Sequence, residues 1–137
     1  MRRVFELHRD QRGLVGKMMI IWLLLVGVLA VSAVDAGSIA LTTFKLSSVA
    51  ADAASEGAAQ FGKGVGVEAS CLAAGSTVTT MQPGIHLGPN FCQVNPATGQ
   101  VTITLKTTAG TVLAGRLSFT KHYTTVVRSE TNGPSAV

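Results

Sequence analysis

The sequence contains few charged and few aromatic residues. Asp, Glu, Lys and Arg make up 13% of its 137 residues, and Phe, Trp and Tyr make up 5%. Alanine, glycine, threonine and valine take their place, and such small side chains bury little area each. A water-soluble core built from them would be thin. The mean hydropathy is nevertheless positive, and one long apolar segment causes it.

The sequence also lacks a recognisable catalytic arrangement. His8, His86 and His122 have no nearby Ser, Cys or Asp in a nucleophile–base pattern. Asp52 and Glu56 lie four positions apart on a predicted helix, where such a pair is ordinarily solvated. Catalysis by that pair would require burial and a second element facing it. We therefore expect no enzymatic activity and no cofactor.

The apolar segment runs from Met18 to Val34 without a charged residue. As a helix it would be about 25 Å long, close to the roughly 30 Å of a hydrocarbon core. Lys17 can reach the headgroups, which lets residues 14–16 extend the span. A core helix of a soluble domain is the alternative, but so short a chain cannot cover a helix that is apolar all round. The residues predicted to anchor the chain are Lys17, Ile20, Ile21, Trp22, Leu23, Leu24 and Leu25.

The flanking charges predict the orientation of this segment. The N-terminal flank carries two acidic residues, Glu6 and Asp10, and five basic ones: Arg2, Arg3, Arg9, Arg12 and Lys17. Basic flanks stay on the cytoplasmic side. We expect a single-pass protein of the plasma (inner) membrane, with a cytoplasmic leader at 1–13 and residues 36–137 outside. Topology also accounts for the basic excess, so the charge does not indicate a nucleic-acid partner.

A cleaved signal peptide is the rival interpretation. The basic leader, the apolar core and the tripeptide "VSA" that ends at Ala33 fit the small-x-small rule for cleavage. The observation against cleavage is that no turn follows the apolar run. Helical spacing of apolar and small residues continues to Phe61, after which Gly62, Gly64 and Gly66 interrupt it.

One continuous helix over residues 14–61 is therefore predicted, on the order of 70 Å long. Its outer half is rich in alanine, which allows close approach to another helix or to a sheet. A plain solvated helix built from good helix formers is the alternative. The residues expected to pack are Phe44, Val49, Ala50, Ala53, Gly57 and Phe61.

Residues 62–131 are predicted to form a small β-rich domain, with residues 132–137 as a tail. Val101, Ile103 and Leu105 alternate with polar residues, the pattern of a half-buried strand. The turn chemistry of "NPATGQ" joins that strand to residues 90–94. Residues 111–119 and 122–130 are two further strand candidates. Three or four antiparallel strands on one side of the helix would make an α+β fold.

The two cysteines, Cys71 and Cys92, lie on the predicted outer side, 21 positions apart. In an oxidising compartment such a pair most simply forms a disulfide. A zinc site is the alternative, with His86 as a third ligand, but it lacks a fourth ligand and regular spacing. We predict the disulfide and no metal site.

Three features resemble the TadE/TadG-like proteins, pilin-like components of bacterial tight-adherence (Flp-type) pilus systems. They are "RG" at Arg12–Gly13, the apolar run, and "KLSSVAADAASEGAAQF" directly after it. Together they cover residues 12–61. The resemblance implies a membrane-anchored pseudopilin-like subunit or assembly factor whose partners are other pilin-like or secretion-system subunits, or copies of itself. It also implies processing after Gly13.

The chain departs from pilin-type precursors at one position. Those precursors usually carry glutamate five residues beyond the processed glycine, and this chain has Met18 there. A buried carboxylate needs a partner such as the N-terminal amine of a neighbour. The absence of this glutamate favours an accessory protein over a polymerising pilin. A small cell-envelope binding domain, secreted or anchored, is the second hypothesis.

Overall fold

A computed structural model of the protein describes residues 3–118 and 120–133, with side chains from Val15 onward. It is an α+β structure with one long helix, a second shorter helix and a three-stranded antiparallel sheet. The elements, in chain order, are α1 (Arg3–Gly62), α2 (Val67–Met81), β1 (Cys92–Asn95), β2 (Gln100–Thr108), a 3-10 helix (Lys121–Thr124) and β3 (Thr125–Asn132).

Helix α1 is 60 residues long, which corresponds to about 90 Å. It ends at Gly62, one residue past the predicted end, and it begins at Arg3 rather than at Leu14. The glycines that follow explain its termination. Gly64 and Gly66 have φ angles of 81° and 87°. Residues that carry a Cβ rarely adopt these backbone angles. They reverse the chain so that α2 returns along α1.

Helix α2 lies within residues 62–131, for which the sequence predicts a β-rich domain and no second helix. Valine and threonine in "VEASCLAAGSTVTTM" suit strands, but propensity is a weak guide where packing decides. Ser70, Ala74 and Val78 lie four positions apart and are fully buried, so they form one helical face against the rest of the domain.

The sheet confirms the predicted hairpin. β1 pairs antiparallel with β2 through Cys92↔Ile103 and Val94↔Val101, and β2 pairs with β3 along Val101–Thr108. The strand predicted at 122–130 is present as β3, shifted to Thr125–Asn132. The strand predicted at 111–119 is wrong. Residues 111–118 form bends and turns, and Phe119 lies outside the described residues. Residues 134–137 of the predicted tail also lie outside them.

Small side chains form the contact between α1, α2 and the sheet, as the alanine-rich outer half of α1 suggests. Gly57 shows how close this contact is. A Cβ there would lie 3.1 Å from Val101 Cγ1 and 3.3 Å from both Ala74 Cβ and the Ser70 carbonyl oxygen. The buried apolar residues are Leu46, Val49, Ala50, Ala53, Ala54, Ala58, Ala74, Val78, Ile85, Val101, Ile103, Leu105, Ala109 and Val126.

The sheet lies lengthwise along the outer half of α1. Near the middle of the helix, the Ser38 hydroxyl donates to the carbonyl oxygen of Gly110. Further along, the Ser47 hydroxyl donates to the Glu130 carboxylate. Closer to the helix end, Gly57 approaches Val101. The segment that connects β2 to β3 is therefore the end of the domain nearest to the apolar half of α1.

Candidate functional site

The apolar half of α1 packs against nothing in the described chain. Ile20, Ile21, Trp22, Leu23, Leu24 and Leu25 are each more than half exposed. A leucine or isoleucine side chain gains about 1.5–3 kcal/mol on leaving water. Six large apolar neighbours exposed on one helix form a patch of the kind that marks a contact with a membrane or with another protein. Lys17, the predicted inner anchor, is exposed as well.

The length and composition of Val15–Gly62 within α1 are sufficient to cross a membrane. Ser32 is a polar residue inside the apolar run, and its hydroxyl group is hydrogen-bonded within the helix. The Ser32 hydroxyl donates a 2.8 Å hydrogen bond to the carbonyl oxygen of Val28, one turn earlier. A hydroxyl paired in this way leaves no unsatisfied donor for an apolar surrounding. The segment is therefore chemically suited to a membrane anchor or a signal sequence.

Asp35 is the first charged residue beyond the apolar run, and the fold buries it. Its side chain is 5% exposed. The Oδ1 atom accepts a 2.6 Å hydrogen bond from the backbone N–H of Val112, and Oδ2 accepts bonds of 2.9 Å and 2.8 Å from those of Leu113 and Ala114. Three consecutive backbone amides thus converge on one carboxylate. This contact fastens the β2–β3 connection to α1.

The electrostatics of this site favour the ionised carboxylate. The hydrogen bonds from Val112 and then Ala114 lower the pKa of Asp35 below its ordinary value, with a smaller contribution from Leu113. Burial acts in the opposite direction and does not outweigh them. Asp35 therefore has a structural role as an anion, and the dipoles of the three backbone amides stabilise its charge.

Residues predicted to pack along the outer half of α1 divide into two groups. Val49, Ala50, Ala53 and Gly57 are buried under α2 and the sheet. Phe61 is partly buried. Phe44 is 74% exposed and is not part of the core. It lies on the face of α1 that the domain leaves uncovered, because the domain covers only the side that carries Asp35 and Leu46.

This uncovered face continues directly from the apolar half of α1. Leu41 is 65% exposed one turn before Phe44, and Gly37 lies one turn earlier again. A Cβ at Gly37 would meet nothing within 4 Å. A glycine inside a helix costs roughly 0.5–1 kcal/mol relative to alanine, and no contact among the described residues requires it here. We call Gly37, Leu41 and Phe44 the uncovered face of α1.

The predicted disulfide is present. Cys71 of α2 and Cys92 of β1 are bonded, with their Cα atoms 5.7 Å apart. The bond joins the second helix to the edge strand of the sheet. Gly75, one turn further along α2, leaves room for the ring of Phe91, whose Cζ would lie 3.2 Å from an added Cβ.

The candidate acid–base residues do not assemble into a site. His86 is exposed in the loop between α2 and β1, and His122 is exposed in the 3-10 helix. Asp52 is exposed, and Glu56 accepts a 2.7 Å hydrogen bond from the side-chain amide of Gln60 on the same helix. Among the described residues, no three His, Cys, Asp or Glu side chains are grouped so that they could hold a metal ion.

Both candidate processing positions lie inside α1. Gly13 falls within its first turns, where the structure describes the backbone only. Ala33 is exposed, and the helix continues without interruption through it to Gly62. Cleavage after Ala33 would therefore divide a regular helix two residues before Asp35 and its contact with residues 112–114.

Asp35 is the residue whose role the sequence did not predict. From the sequence it marks only the first charge outside the membrane segment. The amides that surround it come from residues 77 to 79 positions away, in a segment that resembles a strand. Its position directly after a long uncharged run was the sole local signal.

No protein-family model, curated protein or solved structure matches this chain.

Proposed function

We propose that the chain is a single-pass, membrane-anchored component of a bacterial pilus or secretion assembly, similar to the TadE/TadG-like proteins. Its N-terminus lies in the cytoplasm and its disulfide-closed domain lies outside the membrane. It acts without catalysis, by packing the uncovered face of α1 against other pilin-like subunits or against copies of itself.

The observation that carries this proposal is that large apolar side chains stay exposed beyond the membrane span. Residues 15–34 extend about 30 Å as a helix, the thickness of a hydrocarbon core. Phe44 lies ten residues further, about 15 Å beyond Val34. The headgroup layer of one leaflet is only about 5–8 Å thick. In the proposed topology Phe44 therefore lies outside the bilayer, and its exposed ring supports a contact with another protein.

Small residues on the same face support close helix approach. Ala33 and Gly37 are four positions apart, and both are exposed. This small-xxx-small spacing allows the backbones of two membrane helices to come into contact. The neighbouring helix would then also contact Leu41 and Phe44, which lie further from the membrane.

Met18 argues for an accessory role within such an assembly. A pilin-type precursor would carry a glutamate at this position, paired with the N-terminal amine of its neighbour. Met18 is 58% exposed and apolar, so it offers no such pairing. We therefore place the chain beside a filament or secretion channel rather than as its repeating subunit.

Site-specific photo-crosslinking tests this function in the native membrane. A photoreactive phenylalanine analogue at position 44 should form a covalent adduct with a second polypeptide, whose mass spectrum identifies it as another subunit or as the same chain. Gln93, exposed on β1, is the matched control position and should form no such adduct. Adducts at position 44 with lipid alone, or none, would contradict lateral packing.

Deletion of the chain gives the physiological readout. Loss of surface pili or of secretion is expected when the gene is removed, with restoration by the intact chain. A variant with Phe44→Asp should fail to restore it while it still forms the Cys71–Cys92 bond. Normal piliation and secretion in the deleted strain would contradict the assignment to this machinery.

A secreted or anchored cell-envelope binding domain is the second candidate function. An open groove of about 440 Å³ favours it, lined by His86, Asn90, Phe91, Thr104 and Lys106 among other residues. The lining is mostly apolar with a few polar groups, which suits a ligand that has both an apolar body and a polar group. Release into the medium of a chain that starts at Val34 would support this alternative.

A further inference from the structure

The connection between β2 and β3 exposes several large apolar side chains at the end of the domain nearest to the anchor. Val112 is 56% exposed, Leu113 39%, Leu117 43% and Tyr123 71%. A solvated loop ordinarily presents small polar residues instead. We call these four residues the junction surface.

The Asp35 contact fixes the height of this surface along α1. The backbone amides of Val112 and Leu113 donate directly to the Asp35 carboxylate. Asp35 immediately follows Val34, the last residue of the uncharged run. The Ser38 hydroxyl, one turn above, holds the carbonyl of Gly110. If residues 15–34 cross the hydrocarbon, the junction surface lies at the level of the outer headgroups.

The charges around the junction surface have one sign. Residues 109–124 contain Arg116, Lys121 and His122 and no Asp or Glu. Arg116 and Lys121 are exposed. The carboxylate that faces this segment from α1 is Asp35, and three amides already occupy it. The exposed cations therefore remain available to an anionic partner.

Several backbone groups of this segment are hydrogen-bonded within the chain. The amides of residues 112–114 donate to Asp35. The carbonyl of Leu113 accepts from the amides of Arg116 and Leu117, and that of Leu117 accepts from those of Thr120 and Lys121. Unpaired backbone groups are costly next to hydrocarbon. The turn pairs several of these groups within the chain and leaves the side chains of Val112, Leu113 and Leu117 exposed.

From this combination we infer that the junction surface is a second membrane contact, which inserts into the outer headgroup layer beside α1 and binds anionic lipid through Arg116 and Lys121. The inference rests on the proposed anchoring of α1. Leucine and valine side chains enter the acyl boundary, tyrosine prefers the interface, and a nearby cation gains from anionic headgroups. The contact would hold the domain at a set tilt and thereby orient the uncovered face of α1.

Lipid photo-crosslinking of the full-length protein tests the contact. The chain is reconstituted into vesicles that contain phosphatidylglycerol and phosphatidylethanolamine, with a diazirine-bearing amino acid at one position at a time. The positions are Trp22 in the anchor, Leu117 in the junction surface and Leu72 on α2. Leu72 is the matched control, because it is a leucine that is 69% exposed. It lies on α2, toward the end of the domain that is farther from the apolar half of α1. Formation of the Cys71–Cys92 bond shows that each variant has folded.

The expected result is lipid adducts at positions 22 and 117 and none at position 72. Adducts at 22 without adducts at 117 would overturn the junction contact and leave the anchor intact. Equal labelling at 72 and 117, or a protein adduct at 117, would also overturn the contact. Absence of lipid adducts at 22 would overturn the anchor itself, and with it both proposals.

The role of charge is tested by changing the lipid and the cations separately. Adducts at position 117 should decrease when phosphatidylglycerol is replaced by the zwitterionic phosphatidylcholine. The double variant Arg116→Gln, Lys121→Gln should remove this dependence on lipid charge while the adduct at position 22 stays unchanged. A dependence that persists in the double variant would contradict binding through these two side chains.

Discussion

The carboxylate of Asp35 in α1 accepts a 2.6 Å hydrogen bond from the backbone amide of Val112, 77 positions further along the chain. This contact lies where the apolar half of α1 ends and its covered half begins. It fastens the outer domain to the helix at the boundary that we assign to the membrane surface. The Asp35 carboxylate therefore adds to the packing along the outer half of α1 in holding the domain on the helix.

Substitution of Asp35 should loosen the β2–β3 connection. Asp35→Ala removes both acceptor oxygens and leaves the three amides of residues 112–114 without a protein partner, and unpaired buried amides destabilise a fold. Asp35→Asn retains one acceptor oxygen and should have a smaller effect. Hydrogen exchange at residues 112–114 should accelerate in both variants, more strongly in the alanine one. Unchanged exchange in Asp35→Ala would contradict the role of this contact.

The same contact should depend on pH in a defined direction. Because the folded-state pKa of Asp35 is lowered from 3.8, its contribution to stability is fully present above that value. The contribution is lost as the pH falls below 3.8 through the folded-state pKa. Amide exchange at residues 112–114 or thermal unfolding, followed from neutral pH to acid, should show this loss. The Asp35→Asn variant should lack that component of the acid transition.

The contact of Gly57 with Val101 predicts that a larger residue there destabilises the domain. Gly57→Val would place atoms against Val101, Ala74 and the Ser70 carbonyl, and such overpacking costs about 1–3 kcal/mol. Gly37→Val is the matched control, because open space surrounds that glycine. Chemical denaturation of both variants in detergent should lower only the stability of Gly57→Val. Equal stabilities would show that α1 and the sheet are not packed this closely.

The architecture of α1 and the hairpin could be predicted from local patterns. Seventeen uncharged positions and the helical spacing after them indicate α1. The alternation at Val101, Ile103 and Leu105 around a turn sequence indicates β1 and β2. These signals are local, because each arises from residues that lie within one element.

Two features escaped prediction because non-local contacts decide them. Helix α2 contains strand-favouring valine and threonine, and its helical signal is the spacing of Ser70, Ala74 and Val78. Those residues are small, so the spacing is inconspicuous in the sequence. The segment at 111–118 has the composition of a strand, but Asp35 holds its amides in a turn. The partner lies in another element, so no pattern within the segment reveals it.

Removal of the disulfide should weaken the outer domain while α1 stays in the membrane. The double variant Cys71→Ala, Cys92→Ala frees a loop of 21 residues, which in the chain-entropy model costs about 3 kcal/mol. Denaturant titration should show a correspondingly lower midpoint. A reducing agent should lower the midpoint of the wild-type chain and have no further effect on the double variant. Equal midpoints for all four samples would contradict a stabilising role for the bond.

The mass of the mature N-terminus, determined by mass spectrometry on protein extracted from the native membrane, tests whether the apolar half of α1 remains as an anchor. We expect a chain that starts at Met1, or at Leu14 if a prepilin-type peptidase processes it after Gly13, and that remains with the membrane after alkaline washing. A chain that starts at Val34 and is released into the medium, or a full-length chain dissolved in the cytosol with both thiols free, would contradict anchoring.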